Sequence, residues 1–496
     1  MKHNPSAFDH KAYLSKQSEN IAKRIEMFGD KLYLEFGGKL YDDYHASRVL
    51  PGFQPDSKMK MLERLKDSCE VIVVINANHI EKNKVRGDLG LTYDMDALRQ
   101  IDAFRSHGLL VSSVVLTHFA GQSAAEAYQT KLEKLGLKVY RHYPIEGYPA
   151  NIPLIVSDQG YGRNEYVETS RRLVIVTAPG PGSGKMATCL SQLYHENKRN
   201  IKAGYAKFET FPVWNLPLKH PVNLAYEAAT VDLDDVNMID PFHLEAYGEK
   251  AVSYNRDSDA FPVLNAILTR IMGQSPYKSP TDMGVNMIGY CINDDEALCY
   301  SSRKEIVRRY WDTLCQVRKG NAEQDQVLKL EFLMEQAQVN ASNRKVAVAA
   351  NELAEKTEAP AAAIEMEDGT ILTGKTSTLL GASSAMLLNA LKYLAKIPHD
   401  VDLISPMVIE PIRHLKTTHL HSANPRLHTD EVLIALSICA LTDYNAKKAM
   451  ECLDKLKGCE VHTSVIISQT DVSTLKKLGV NLTSSPVYQT KALFHK

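Results

Sequence analysis

The stretch Thr177-Ala178-Pro179-Gly180-Pro181-Gly182-Ser183-Gly184-Lys185 sets three glycines and a lysine after the apolar run Leu173–Thr177 and before a helix-periodic segment reaching about Glu196. Glycines let a backbone curl until several N–H groups face one anion, and the N-terminus of the following helix adds partial positive charge. Strand, glycine turn, lysine and helix, in that order, is the context a phosphate-binding loop requires. Gly180, Gly182, Ser183 and Gly184 are the expected amide donors, and Lys185 the expected cation on a terminal phosphate. Two positions depart from G-x-x-x-x-G-K-[ST]. Pro179 takes the place of the first glycine, and Met186 stands where a hydroxyl normally coordinates Mg²⁺. Thr188 projects from a different side of the helix and does not replace that hydroxyl by position. The loop therefore predicts anion binding, with ATP or GTP as the anion, with or without Mg²⁺. The plainer alternative is a structural glycine turn beside an exposed lysine.

A metal would need carboxylates from elsewhere. Asp232, Asp234, Asp235 and Asp240 crowd one short segment, and Asp234 or Asp235 is the expected Mg²⁺ holder, although turn and helix-capping roles suit the same residues equally. Asp42, Asp43, His45 and Arg48 follow Gly37-Gly38-Lys39 at a strand end; Asp42 and His45 are the expected acid–base pair, acting with Lys185. His419, His421, Arg426 and His428 form a second polar cluster, but H-x-H without further ligand spacing is a weak metal signal. Arg303, Lys304, Arg308 and Arg309 read as a solvated helix face. The segments 207–215 and 279–287 mix aromatics, prolines and polar groups without periodicity, as shaped loops do. A G-x-S-x-G elbow and a Cys-His protease signature are both absent.

These residues need a scaffold. Leu32–Phe36, Val71–Asn76, Leu109–Thr117 and Leu173–Thr177 are apolar runs without alternation, the mark of parallel strands covered on both faces. Helix-periodic stretches such as Lys58–Lys66 and Asp94–Arg105 lie between them. Strand ends carry the polar residues, where open α/β sheets bind ligands. Helices are expected at Ala260–Met272 and Asp294–Arg318, and a turn at 319–323. Farther on, a strand is expected at Val346–Ala350, a hairpin over 361–373 turning at Asp368-Gly369, a helix at Gly381–Ala395, a strand at His462–Ser468 and a helix at Val472–Leu478. The reading is an α/β chain: a parallel-sheet, P-loop NTPase-like domain over 1–240, a mainly helical region over 241–340 and a smaller α/β domain over 341–496.

The 496 residues include 58 basic and 59 acidic side chains, so the global field favours neither nucleic acid nor an anionic membrane. Eight cysteines without a C-x-x-C pair fit no zinc ribbon and no disulfide scaffold. With no apolar h-region at the N-terminus and no apolar run of about 18 residues, a cytoplasmic protein is expected.

Leu34-Glu35-Phe36-Gly37-Gly38-Lys39, Thr177–Lys185, Phe208–Asn215, Asn237–His243 and Pro280–Met287 together resemble an uncharacterised bacterial protein family along essentially the whole chain. The resemblance implies a P-loop NTPase-like N-terminal part, a helical insert and a separate C-terminal α/β domain; it carries no established activity. The C-terminal hairpin and helix are similar in layout to cytidine deaminases, but Gly381-Ala382-Ser383-Ser384 stands where zinc ligands are needed, so deamination is not supported. The functional expectation is an enzyme binding a small phosphorylated ligand, with NTP-dependent phosphoryl transfer as the reaction. The alternatives are a metal-free enzyme on a phosphorylated metabolite and a non-catalytic ligand-binding protein. A homo-oligomer is compatible with this sequence.

Overall fold

A computed structural model describes residues 6–38, 40, 43–86 and 90–490. The chain divides into two compact units, 4–302 and 303–496. In the first, the strands are β1 Lys31–Phe36, β2 Cys69–Asn76, β3 Val85–Arg86, β4 Leu91–Thr92, β5 Leu110–Thr117, β6 Lys138–Arg141, β7 Leu173–Thr177, β8 Ala203–Phe208, β9 Asn237–Ile239, β10 Val252–Tyr254 and β11 Gly284–Val285. Seven of them form one parallel sheet in the order β11-β8-β1-β7-β2-β5-β6. Every residue of β1, β2 and β7 is buried, which is why these runs are apolar without alternation. β3–β4 and β9–β10 are small antiparallel ribbons beside it.

Helices cover the sheet. Asp9 caps the helix His10–Phe28, its carboxylate accepting from the amide of Ala12 at 2.9 Å. Tyr13, Leu14, Ile21, Ile25 and Phe28 make the buried face of that helix, the aliphatic side chains and Phe28 each worth about 1.5–3 kcal/mol of burial. Phe28 reaches the sheet at Gly204, where a Cβ would fall 2.0 Å from the phenyl Cγ. The region 241–340 is not only helical. Beside the helices Asn255–Met272, Asp295–Arg318 and Gln324–Gln336 it supplies β10 and the edge strand β11 of the main sheet.

The second unit carries β12 Ala361–Glu365, β13 Ile371–Lys375, β14 Glu460–Thr463 and β15 Asn481–Ser484 in a mixed sheet of order β13-β12-β14-β15. β12 and β13 form the expected hairpin, with Gly369 at φ 84° in its turn. β14 is antiparallel to β12 and parallel to β15. The helix Ala382–Ala395 packs Met386, Leu387, Ala390 and Leu391 into the core, and the helix Gln469–Lys477 follows β14. The strand expected at Val346–Ala350 is instead part of a helix, Lys345–Thr357. Its buried residues Val346, Ala347 and Ala350 sit at i, i+1 and i+4, a helical spacing that a five-residue apolar window cannot distinguish from a strand. All eight cysteines are free thiols, and no helix among the described residues is long and apolar enough to cross a membrane.

The Phe28–Gly204 contact predicts that Gly204→Ala, by overpacking the core, destabilises the chain by about 1–3 kcal/mol in urea unfolding.

Candidate functional site

The glycine loop lies between β7 and the helix Lys185–Lys198, at the carboxyl edge of the sheet. Its carbonyls are held by its neighbours. Thr117 Oγ1, ending β5, donates to the Ser183 carbonyl at 2.6 Å, and Asn76 Nδ2, ending β2, donates to the Gly182 carbonyl at 3.0 Å. Ser183 Oγ donates to the Gly180 carbonyl at 2.8 Å. With these carbonyls pinned, the amides of Ser183, Gly184, Lys185 and Met186 make no hydrogen bond among the described residues. The Thr188 amide makes the helix's first bond, to the Gly184 carbonyl at 2.9 Å. Gly184 adopts φ 88° before the first helical residue, a left-handed conformation in which a Cβ would also crowd Thr117. At Gly180 the requirement is space, because a Cβ there would lie 2.4 Å from the Tyr93 hydroxyl oxygen.

Lys185 Nζ points toward Glu35 Oε1 at 4.0 Å. At that separation the opposite charges attract, which directs the amine toward the end of β1. Glu35 Oε2 also accepts from the Tyr205 hydroxyl of β8 at 2.8 Å. Strand register sets Glu35 between Val176 of β7 and Lys207 of β8. Lys207 Nζ in turn lies 2.7 Å from Glu209 Oε1 and 2.5 Å from Asp257 Oδ2, the latter on the helix Asn255–Met272. A row of alternating charge thus runs from the loop along the edge of the sheet.

The other flank of the loop is basic. A Cβ on Gly182 would lie 3.6 Å from His79 Cε1, and the His79 ring meets Tyr93 edge-on with centroids 5.1 Å apart. Burial, with Lys84, His118 and Lys82 nearby, lowers the His79 imidazole to about 4. His118, directly after β5, holds φ 50°, uncommon for a side-chain-bearing residue.

Comparison with known proteins places this architecture. The model of the domain of unknown function DUF1846, N-terminal, matches residues 6–338, and that of its C-terminal domain matches 342–494. The UPF0371 protein of Corynebacterium aurimucosum is 57% identical over 491 residues, covering 99% of each chain. The UPF0371 protein of Streptococcus pneumoniae strain JJA is 54% identical over 490 residues, again with 99% of each chain covered. The chain belongs to the DUF1846/UPF0371 family.

Within this family member the remaining expected site residues lie as follows. Asp42 falls outside the described residues. His45, on the helix Tyr44–Val49, packs its ring 5.7 Å from Phe211 and 5.6 Å from Tyr226 between centroids. Asp43, its near neighbour, caps that helix and pairs with the buried Lys58 at 3.0 Å. Asp234 and Asp235 are tied to the start of the helix Asn255–Met272. Asn255 Nδ2 reaches the Asp234 carbonyl at 3.3 Å, and Arg256 lies 3.2 Å from Asp235. Burial raises the Asp235 carboxyl, and its charged neighbours include Arg256, Asp257 and Lys207, so it faces the β8 cluster.

In the C-terminal unit His428 pairs with Asp471 at 3.0 Å and closes a capping box with Glu431. Its hydrogen bond to Asp471 raises the imidazole. His419 faces His414, and Arg426 donates to the Ser377 carbonyl at 2.8 Å. These contacts read as local structure.

His220, Asp295 and Cys299 form a trio that sequence spacing did not reveal. His220 Nε2 is 3.0 Å from Asp295 Oδ1 and 3.5 Å from Cys299 Sγ. The Val222 amide donates to His220 Nδ1 at 3.3 Å, which leaves the ring proton on Nε2, facing the carboxylate. A metal would need the Nε2 lone pair, so the trio is a hydrogen-bonded tie between two helix starts.

Glu35, Lys207, Glu209 and Asp257 were missed as site residues for a different reason. Glu35 hides within an apolar run, and only register and tertiary packing bring the four together.

Removing the Thr117 hydroxyl tests the pinned loop. Thr117→Val should strand the buried Ser183 carbonyl and cost about 1–3 kcal/mol in urea unfolding, while Thr117→Ser keeps near wild-type stability.

Proposed function

We propose that the loop Gly180–Lys185 binds the phosphate of a nucleoside triphosphate and that the chain transfers a phosphoryl group from it to a small molecule. The observation that carries this reading is the set of amides from Ser183 to Met186 without acceptors at the start of a fourteen-residue helix, beside the amine of Lys185. Such amides, the helix N-terminus and a lysine are the parts of a P-loop that hold phosphate. Catalysis of this kind is positioning and charge neutralisation. Lys185 moves from Glu35 to the more strongly charged phosphate, and the carboxylate it releases becomes available to a cation.

Met186 offers a thioether where Mg²⁺ wants oxygen, and the Thr188 hydroxyl is committed to the Gly184 carbonyl at 3.0 Å. Glu35 is the carboxylate that faces Lys185, and it would hold Mg²⁺ through water; Asp234 and Asp235 remain the more distant candidates. The same substitution at 186 favours a second reading, in which the loop holds the phosphate of a phosphorylated metabolite without metal. His79, neutral at physiological pH, then borders the bound anion as a hydrogen-bonding group.

Isothermal calorimetry with ATP, ADP and inorganic phosphate, each with and without Mg²⁺, separates the readings. Lys185→Ala should weaken binding at least about tenfold, or about 1.4 kcal/mol; an unchanged affinity removes the loop reading. Met186→Ser should strengthen Mg²⁺–ATP binding over wild type if nucleotide is the ligand. Phosphate or a phosphorylated metabolite binding without any nucleotide affinity selects the second reading.

A further inference from the structure

The row of charge beyond Glu35 does more than the loop needs. Tyr205, Lys207 and Glu209 alternate along β8 and its extension, so all three side chains leave the same face. The Tyr205 hydroxyl reaches Glu35, which shows that this face is the one Lys185 approaches. Asp257 comes down onto Lys207 from the helix Asn255–Met272. Register carries the row from Val176 through Glu35 and Lys207 to Gly284. With strands about 4.8 Å apart, the backbone of Lys207 lies about 10 Å from the strand under the loop. That is the reach of a small molecule attached to, or attacking, a phosphate on the loop.

Burying two carboxylates around one amine is a poor way to gain stability, because desolvation cancels most of the attraction. The set is also incomplete in itself. Asp235, 4% exposed and in the field of Asp257 and Lys207, leaves Oδ1 without a hydrogen-bond partner among the described residues. A buried carboxylate oxygen without a partner, beside a cluster that stays partly open, offers an acceptor to a polar ligand. Glu209 and Asp257 moreover share one amine, Lys207 Nζ, at 2.7 and 2.5 Å, so two buried carboxylates stand against a single positive charge.

We propose that Glu209 and Asp257, held together by Lys207, are the acid–base pair for a hydroxyl-bearing acceptor of the phosphoryl group held at Gly180–Lys185. This rests on the nucleotide reading of the loop. The acceptor's O–H bond breaks and its oxygen bonds to the terminal phosphorus. The bond from phosphorus to the bridging oxygen breaks, and that oxygen leaves on the nucleoside diphosphate with the electron pair. The acceptor's proton passes to the carboxylate pair. Asp235 supplies a polar atom that positions the acceptor.

The groups facing the pair are few. Lys207 lies between the two carboxylates, Tyr226 faces Glu209 from the helix Pro221–Ala229, Arg256 and Asp235 face Asp257, and Glu35 faces Lys207. Burial raises the Glu209 carboxyl to about 7, with Asp257 adding to the rise and Lys207 opposing it. Burial also works against the charge on Asp257, but Lys207 outweighs it and holds that carboxyl below its ordinary range. The pair therefore carries its proton below about pH 7 and can accept one above it.

The test compares the full-length wild type with Glu209→Gln and Asp257→Asn. An infrared difference titration from pH 5 to 9, without ligand, should show a carboxyl band in wild type that is lost near neutrality and is absent in Glu209→Gln. With Mg²⁺–ATP and water as acceptor, single-turnover phosphate release should rise with pH through about 7. It should fall at least about 100-fold in both variants, with ATP affinity within about threefold of wild type. Wild-type release in either folded variant, or no titrating band in wild type, overturns the pair while leaving the loop intact. A wild type that binds neither ATP nor inorganic phosphate overturns the loop reading and this proposal with it. A variant that fails to fold leaves the decision to the other and to the wild-type band.

Discussion

Glu35 brings a negative charge to the buried end of a parallel strand, and that charge has to be answered by the strands on either side. β1 lies between β7 and β8, so the answers come from both. Lys185 approaches from the loop after β7, and the Tyr205 hydroxyl from β8. Lys207, directly across the ladder from Glu35, then needs its own counter-charges and takes them from Glu209 and Asp257. One buried carboxylate thus links the glycine loop, two strands and the helix Asn255–Met272 into a single electrostatic system. The chain's connections leave β1 toward β2 and leave β7 toward β8, in opposite directions across the sheet, which opens a crevice at the carboxyl ends where such sheets bind ligands.

How much of this the sequence carried depended on whether the signal was local. β1, β2, β5 and β7 announced themselves as unbroken Val, Ile and Leu runs because both faces are covered. β8 did not. Ala203-Gly204-Tyr205-Ala206-Lys207-Phe208 breaks the apolar pattern twice, with a glycine that makes room for Phe28 and a lysine that completes the charge row. β11, two residues long, is too short for any periodicity. The helix over 345–357 read as a strand because its buried Val and Ala fall in one short run, while its solvated face carries the polar residues that follow. The loop, by contrast, was visible in full, because strand, glycines, lysine and helix are consecutive.

The acids were hidden for the opposite reason. Density in sequence drew attention to Asp234 and Asp235, yet Asp235 turns to Arg256 and the β8 cluster. Glu35 is flanked by Leu34 and Phe36 and reads as an interruption in a strand. Its partners Tyr205 and Lys207 are about 170 residues away and meet it only through parallel register. No spacing rule operates over such a distance.

The two flanks of the loop differ in sign, and this difference constrains any chemistry there. On the β2 and β5 side, burial, with Lys84, His118 and Lys82 nearby, keeps the His79 ring neutral. On the β1 and β8 side, Glu35, Glu209 and Asp257 are balanced by Lys185 and Lys207. A phosphate bound between them would be attracted from the first flank and repelled by Glu35 on the second, and under the proposed reading Lys185 turns from Glu35 toward the phosphate, the more strongly charged of the two anions. Under the proposed reading, that motion is what couples ligand binding to the acid row. Glu35 loses its partner at the loop, Tyr205 and Lys207 become its remaining support, and the balance that Lys207 keeps between Glu209 and Asp257 shifts. Under that reading, binding at one end of the row would change proton affinity at the other, through contacts that lie along the carboxyl edge of the sheet.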